Sequence, residues 1–179
     1  MQLDWVPEPN AVWDAYKQRV IGGAPEGALD IGYAVGASLP GDWWATTDDA
    51  GTVLGYGWLD ATWGGDAEIL LAVDPERQRS GVGAFILQCL EQEAAKRGLN
   101  YVYNTVRETH PDRDAVHDWL AVKGYQGGSN DSALRKRVEV TDRTTPAVPA
   151  PGRRTASPTA RPPGHEESGG YVDIDDHQY

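Results

Sequence analysis

The sequence predicts an α+β fold, with a mixed, mostly antiparallel sheet flanked by helices and a C-terminal tail that has no core of its own. Three observations predict it. Apolar runs of strand length are separated by Asp49-Ala50-Gly51 and Gly64-Gly65-Asp66, as hairpin loops separate strands. Two segments, Gly83 to Gly98 and Asp114 to Lys123, read as helices that stop at glycine. From about Thr141, finally, the stretch TDRTTPAVPAPGRRTASPTARPPG holds six of the twelve prolines and almost no large apolar residue.

The elements follow in order. MQLDWV opens as a short strand. Asn10 is placed to cap a helix running to about Ile21, in which Val12, Trp13, Tyr16 and Val20 recur at helical spacing before Gly22-Gly23 stops it. Ala24 to Pro40 is glycine-rich and takes no assignment. Strand-like runs then cover Asp42 to Thr47, Thr52 to Trp63 and Ala67 to Val73. The helix Gly83 to Gly98 has the apolar face Phe85, Ile86, Cys89, Leu90 and ends on Lys96 and Arg97, as the helix dipole favours. Leu99 to Val106 reads as a strand, Asp114 to Lys123 as a helix, and Ser132 to Val138 as a last strand.

With 179 residues the chain supports one core and an appendage. Three segments are expected: a folded domain over 1–138, a proline-rich disordered linker over 139–165, and an acidic, tyrosine-containing motif over 166–179. The motif EESGGYVDIDDHQY carries Glu166, Glu167, Asp173, Asp175 and Asp176 around an alternating Tyr171 to Asp175, a pattern suited to strand addition, to docking a protein partner, or to a solvated tail. One cysteine, Cys89, excludes an internal disulfide framework and a cysteine-rich zinc site; no metal is expected. No apolar run reaches the ~18 residues of a membrane span and the first residues lack a signal-peptide pattern, so the expected compartment is the cytoplasm. The net charge of −11 argues against nucleic acid and fits an amine-bearing partner, or simple solubility.

The stretch VDPERQRSGVGAF is where this sheet turns into a helix. A strand ends at Val73, and Gly81 and Gly83 fall at the first turn of the following helix. Free N–H groups and the positive helix end converge there, and glycine lets a phosphate approach the main chain. Neither the dinucleotide-binding G-x-G-x-x-G unit nor the Gly-Lys-Ser/Thr of a P-loop is present.

Gln78-Arg79-Ser80-Gly81-Val82-Gly83-Ala84 resembles the Q/R-x-x-G-x-G/A signature of the GNAT N-acetyltransferase superfamily, preceded here by the V-D-P that commonly precedes it there. Glu68 to Val73 is similar to that family's fourth strand, Tyr101 to Arg107 to its fifth, and WLAVKGY at 119–125 to the helix and turn that follow. The resemblance implies acetyl-CoA as cosubstrate. Gln78 and the main chain of Arg79, Ser80, Gly81, Val82, Gly83 and Ala84 would hold its pyrophosphate, and Leu71, Ala72 and Val73 would pair with its pantetheine arm as an added strand. It further implies direct attack of a primary amine, of a small molecule or a protein, on the thioester.

That chemistry needs a group to take the amine proton, and it gains from one that protonates the leaving thiolate. Glu68, at the start of the strand beside the cofactor, is the first candidate base, followed by Glu108 and His110. The family's N-x-x-A-x-x-x-Y stretch, whose tyrosine serves as acid, is altered in HPDRDAVHDWL, where Trp119 or Leu120 falls at the tyrosine position. Tyr125, Tyr103 and His117 are the substitutes in reach, and the expected catalytic set is Glu68, His110 and Tyr125. Near Asp42, Asp48, Asp49 and Asp60, one of the adjacent Trp43 and Trp44 is placed to line an acceptor cleft. Two readings follow: an acyl-CoA-dependent N-acyltransferase, or a CoA-binding but catalytically weak module that acts through its tail.

Overall fold

In the computed structural model, which describes residues 1–127 and 131–139, six strands form one sheet in chain order. These are β1 (Asp4–Glu8), β2 (Asp42–Thr47), β3 (Val53–Ala61), β4 (Asp66–Val73), β5 (Tyr101–Thr105) and β6 (Ala133–Arg137). Every neighbouring pair is antiparallel except β4 and β5, which run parallel. The helices are α1 (Ala15–Val20), α2 (Val82–Lys96) and α3 (Arg113–Val122), with a 3₁₀ turn at Pro75–Arg77. The expected α+β class, the strand order and both long helices are present. The expectations for the linker and the acidic motif fall almost wholly on residues outside those described.

Alternation along the strands sends side chains to two cores. Ala67, Ile69 and Val102 pack with Val82, Ile86, Leu87, Leu90 and Ala94 of α2 and Leu120 of α3. Each large aliphatic side chain so buried contributes ~1.5–3 kcal/mol. This packing rests on a gap in β3: a Cβ at Gly57 would stand 2.7 Å from Ile86 and 2.8 Å from Trp5, so only glycine lets α2 settle on the sheet. On the opposite, open face, Trp43 stacks on Trp58 with centroids 4.4 Å apart, and Tyr56, Trp13 and Val20 complete the second core.

The N-terminal helix is shorter than its apolar spacing suggests. Asp14, not Asn10, is its N-cap, accepting from the Lys17 N–H at 2.9 Å. Asn10 has φ 55°, and residues 11–13 are taken by the preceding loop: Val12 bridges Ser38, and the Trp13 N–H donates to the Ala37 carbonyl at 2.9 Å. A competing backbone partner overrode local periodicity. Lys17, which helical spacing would place at a surface, is 1% exposed and lies between Glu8 (2.7 Å) and Asp14 (3.2 Å), above the Tyr56 ring. Trp63 departs from its expected strand too, standing fully exposed at the tip of the β3–β4 hairpin beside Gly64 and Gly65.

Candidate active site

The parallel pairing of β4 and β5 is short. Asp66, Ala67 and Glu68 face Tyr101, Val102 and Tyr103, and the register ends there. At the next step the Asn104 side chain, not the main chain of β5, reaches β4, its Nδ2 donating to the Ile69 carbonyl at 2.8 Å. That carbonyl therefore points away from β3. In a strand each residue directs its N–H and C=O to one side, alternating along the chain. Leu71 and Val73 accordingly present theirs beyond the end of the β5 pairing, while those of Ala72 point to β3, where it pairs with Tyr56. Leu71 and Val73 thus turn their main-chain groups to this edge, while Ala72 contributes to the cavity wall.

Between the separated strands lies a cavity of about 440 Å³. Its floor is Leu70 to Val73 and its far side Ala115, Val116, Trp119 and Leu120 of α3. The segment that the sequence left unassigned supplies a third wall through Ala24, Pro25, Ala28 and Leu29. It is held over the β5–α3 loop by Thr109 Oγ1 donating to the Gly27 carbonyl at 2.7 Å and by Arg107 with Asp30 at 3.3 Å. Its one glycine in close contact is Gly27 (φ 86°), where a Cβ would meet the Thr109 carbonyl at 2.3 Å.

The glycine turn closes the other end of the cavity, with Gln78 and Arg79 on its lining. Asp74, nearly buried, shapes the turn by accepting from the Glu76 N–H at 3.0 Å and pairing with Arg19 at 3.4 Å, while Arg19 also donates to the Val53 carbonyl at 2.8 Å. Ser80 donates its hydroxyl to the Arg77 carbonyl. Arg79 (φ 61°) and Gly81 (φ 87°) are both left-handed, and a non-glycine residue there marks a constrained backbone. Gly81 caps α2 without a side-chain bond, and the first N–H that bonds back is Phe85, to Gly81 O at 3.0 Å. The N–H groups of Val82, Gly83 and Ala84 precede that bond and have no acceptor within the helix. Main-chain donors, a helix N-terminus and an open strand edge are thus contiguous, a donor set that fits a diphosphate continued by an extended amide-bearing chain.

The three expected catalytic residues separate. His110 lines the cavity, and its Nδ1 accepts the Asp112 N–H at 3.0 Å. That bond favours the ring tautomer whose proton sits on Nε2. Glu68 stands half-buried on the open face at the last paired position, beside Tyr103 and opposite Asp60. Tyr103 is pushed above its ordinary range by desolvation first and then by the Glu68 charge, as a hydroxyl close to that carboxylate must be. Tyr125 is in neither place. It is 2% exposed beneath α2, donates to Glu91 Oε1 at 3.0 Å, and has Lys136 above its ring. Burial, and then the Glu91 carboxylate, hold that phenol far above its usual value, so it keeps its proton and donates it to Glu91.

Asp112, Ala115 and Trp119 take the first, fourth and eighth places of the altered motif, and all three border the cavity. Trp119 is therefore the residue at the tyrosine position, and its indole is a donor that cannot supply a proton to a thiolate. Neither Trp43 nor Trp44 lines this cavity. Trp43 is sealed against Trp58, and Trp44 stacks on Trp5 at 5.4 Å on the other face. Asn104 went unrecognised as a site residue because no motif marks it; its one signal was its position as the polar residue just before the expected end of a strand.

Among the described residues no helix is long and apolar enough to cross a membrane. Comparison with curated protein sequences yields no match. Of solved structures, an N-acetylglutamate synthase from Neisseria gonorrhoeae, complexed with coenzyme A and N-acetyl-glutamate, superposes with a TM-score of 0.58 at 16% identity, covering 78% of this chain and 36% of that one. The ribosomal-protein-S18-alanine N-acetyltransferase of Escherichia coli gives 0.49 at 14% identity, covering 80% and 99%. A phosphinothricin acetyltransferase from Sinorhizobium meliloti, in complex with AcCoA, gives 0.45 at 18% identity, and the match spans 55% of this chain and 62% of that one. Residues 7–120, more than half of the chain, match the model of the acetyltransferase (GNAT) family. With the separated β4 and β5, the glycine turn and that match together, the chain belongs to the GNAT acetyltransferase family.

Proposed function

We propose that the protein transfers an acetyl group from acetyl-CoA to a primary amine of a small molecule or a protein. The observation that carries this reading is the open β4 edge leading straight into the left-handed turn at Arg79 and Gly81, a continuous line of main-chain donors and acceptors. Acetyl-CoA, when bound, supplies an activated acyl group on a thiol leaving group. Leu71 and Val73 would hold its amide-bearing arm through their N–H and C=O groups. Arg79 to Ala84, with Gln78, would hold its pyrophosphate through backbone N–H groups and the α2 N-terminus.

Glu68 takes the proton of the attacking amine, directly or through water, as the N–C bond forms and the C–S bond breaks. Tyr103, next to it on β5, is placed to orient the amine. His110, whose Nδ1 accepts the Asp112 N–H, offers its Nε2–H to developing negative charge. The sulfur leaves as a thiolate, whose pKa near that of a free thiol makes a protein acid dispensable and accommodates Trp119 in place of tyrosine.

Calorimetric titration with acetyl-CoA, followed by assay of free thiol over a panel of primary amines, tests the reading. Saturable binding with amine-dependent thiol release is expected. Binding without release on any amine would leave a CoA-binding module, and no binding would remove both readings.

A further inference from the structure

The open face around Glu68 is ordered by charge in a way the transfer reaction does not require. Register places three rows side by side. Asp66 and Glu68 on β4 face Tyr101 and Tyr103 on β5, and these face Arg137 and Arg135 on β6. Leu134 is buried in the α2-side core and Lys136 pairs with Glu91 of α2 at 3.0 Å, so Arg135 and Arg137 point to the open face with the two tyrosines. A carboxylate row, an aromatic row and a guanidinium row therefore run across the acceptor side of the sheet.

The rows are partly knitted together. Arg135 lies 4.2 Å above the Tyr101 ring and donates to Asp66 Oδ2 at 2.9 Å. Arg137 is exposed and, among the described residues, has no ion-pair partner. It borders a cavity of about 350 Å³ together with Trp63, Asp66, Tyr101 and Arg135. In a chain of net charge −11, a free guanidinium beside a fully exposed tryptophan and a tyrosine is a local inversion of charge in the residue types that dominate binding hot spots.

We infer that the acceptor is a peptide or peptide-like amine carrying an anionic group, its ammonium end at Glu68 and its anion at Arg137. This rests on the acetyltransferase reading for the position of the amine. Two strand spacings of ~4.8 Å, plus the two-residue step from Arg135 to Arg137, separate the carboxylate and guanidinium positions by roughly 12 Å. An extended peptide advances ~3.3 Å per residue, so an N-terminal amine at one end brings the side-chain carboxylate of its third residue to the other. The tyrosine row between them offers flat surface to the intervening main chain. A bare alkylamine would engage only the first row.

Three amidated tripeptides, Ala-Ala-Glu, Ala-Ala-Gln and Ala-Ala-Lys, test this with the full chain. Both calorimetric affinity and the kcat/KM for acetyl-CoA-dependent thiol release are measured. The expected order is Glu above Gln above Lys, with at least a fivefold step from Glu to Gln that narrows as sodium chloride is raised. Arg137→Glu should invert the order in favour of the Lys peptide. Equal constants for the three peptides, or an order unchanged by Arg137→Glu, would overturn the inference. Selective, Arg137-dependent binding without thiol release would keep the acceptor assignment and defeat the transferase reading instead.

Discussion

The Asn104 carboxamide donates to the Ile69 carbonyl at 2.8 Å, one position beyond the last backbone pair of β4 and β5. This contact supplies the hydrogen bond that a continuing β5 would have made, and so lets the strands part while the Ile69 carbonyl stays paired. Replacing Asn104 with Ala removes it. The expected cost is about 1 kcal/mol of stability by urea titration, and a severalfold weaker affinity for acetyl-CoA, because the edge that receives the cofactor loses its fixed geometry. Unchanged affinity would mean that the strands are held apart by packing alone.

Gly81 sits at φ 87° with nothing within 4 Å of the position a Cβ would occupy. Space is therefore no obstacle, and the expected penalty of Gly81→Ala is backbone strain alone, about 1–2 kcal/mol. If the turn holds a pyrophosphate through its main chain, the same variant should weaken acetyl-CoA binding by more than its loss of stability would suggest. Calorimetry beside chemical denaturation separates the two effects.

Glu68 and Glu108 are both candidate bases on sequence, and they differ in burial and in their place on the sheet. Glu68 is half-buried next to Tyr103 at the point where β4 and β5 part, Glu108 is exposed on the β5–α3 loop, and neither borders the cavity itself. Glu68→Gln should lower kcat by roughly 10²–10³-fold with acetyl-CoA affinity within about twofold of wild type, whereas Glu108→Gln should leave kcat nearly unchanged. Comparable losses in both variants would remove Glu68 from the role of base.

Tyr125 yields a prediction of the opposite kind. Its phenol is raised above the usual value by burial and by Glu91, so the native state keeps the proton at pH values where the unfolded chain releases it. The resulting stability is complete below the unfolded pKa of ~10 and declines as pH rises beyond it. Tyr125→Phe should lose about 1 kcal/mol at neutral pH, show a shallower decline of stability above pH ~10, and retain thiol-release activity. A large fall in kcat without a fall in stability would return Tyr125 to the reaction.

Much of this was legible in the chain. The alternation of Ala67 to Val73 and the placement of Gly81 and Gly83 reported the strand-to-turn-to-helix unit, because local spacing and the final structure obey the same geometry there. Residues 11–13 were misread as helix because their apolar spacing is real, but their backbone groups are claimed by residues 37–39, a long-range pairing that no window along the sequence displays. The same limit hid the wall formed by Ala24 to Leu29, which is held by contacts with Thr109 and Arg107 more than seventy-five residues away. Residue type alone suggests Tyr125 for the catalytic set, and its burial against Glu91 of α2 is a long-range contact that the sequence does not display. Trp119 shows the converse: the departure from the family motif was visible in sequence, while its place on the cavity wall needed the fold.

Amide chemical shifts of the ¹⁵N-labelled chain, followed during titration with CoA, test the central claim most directly. The largest changes are expected at Leu71, Val73 and Arg79 to Ala84, smaller ones at Asn104 and His110, and none at Tyr125 or along β1. Changes centred elsewhere, or no saturable change at those amides, would contradict it.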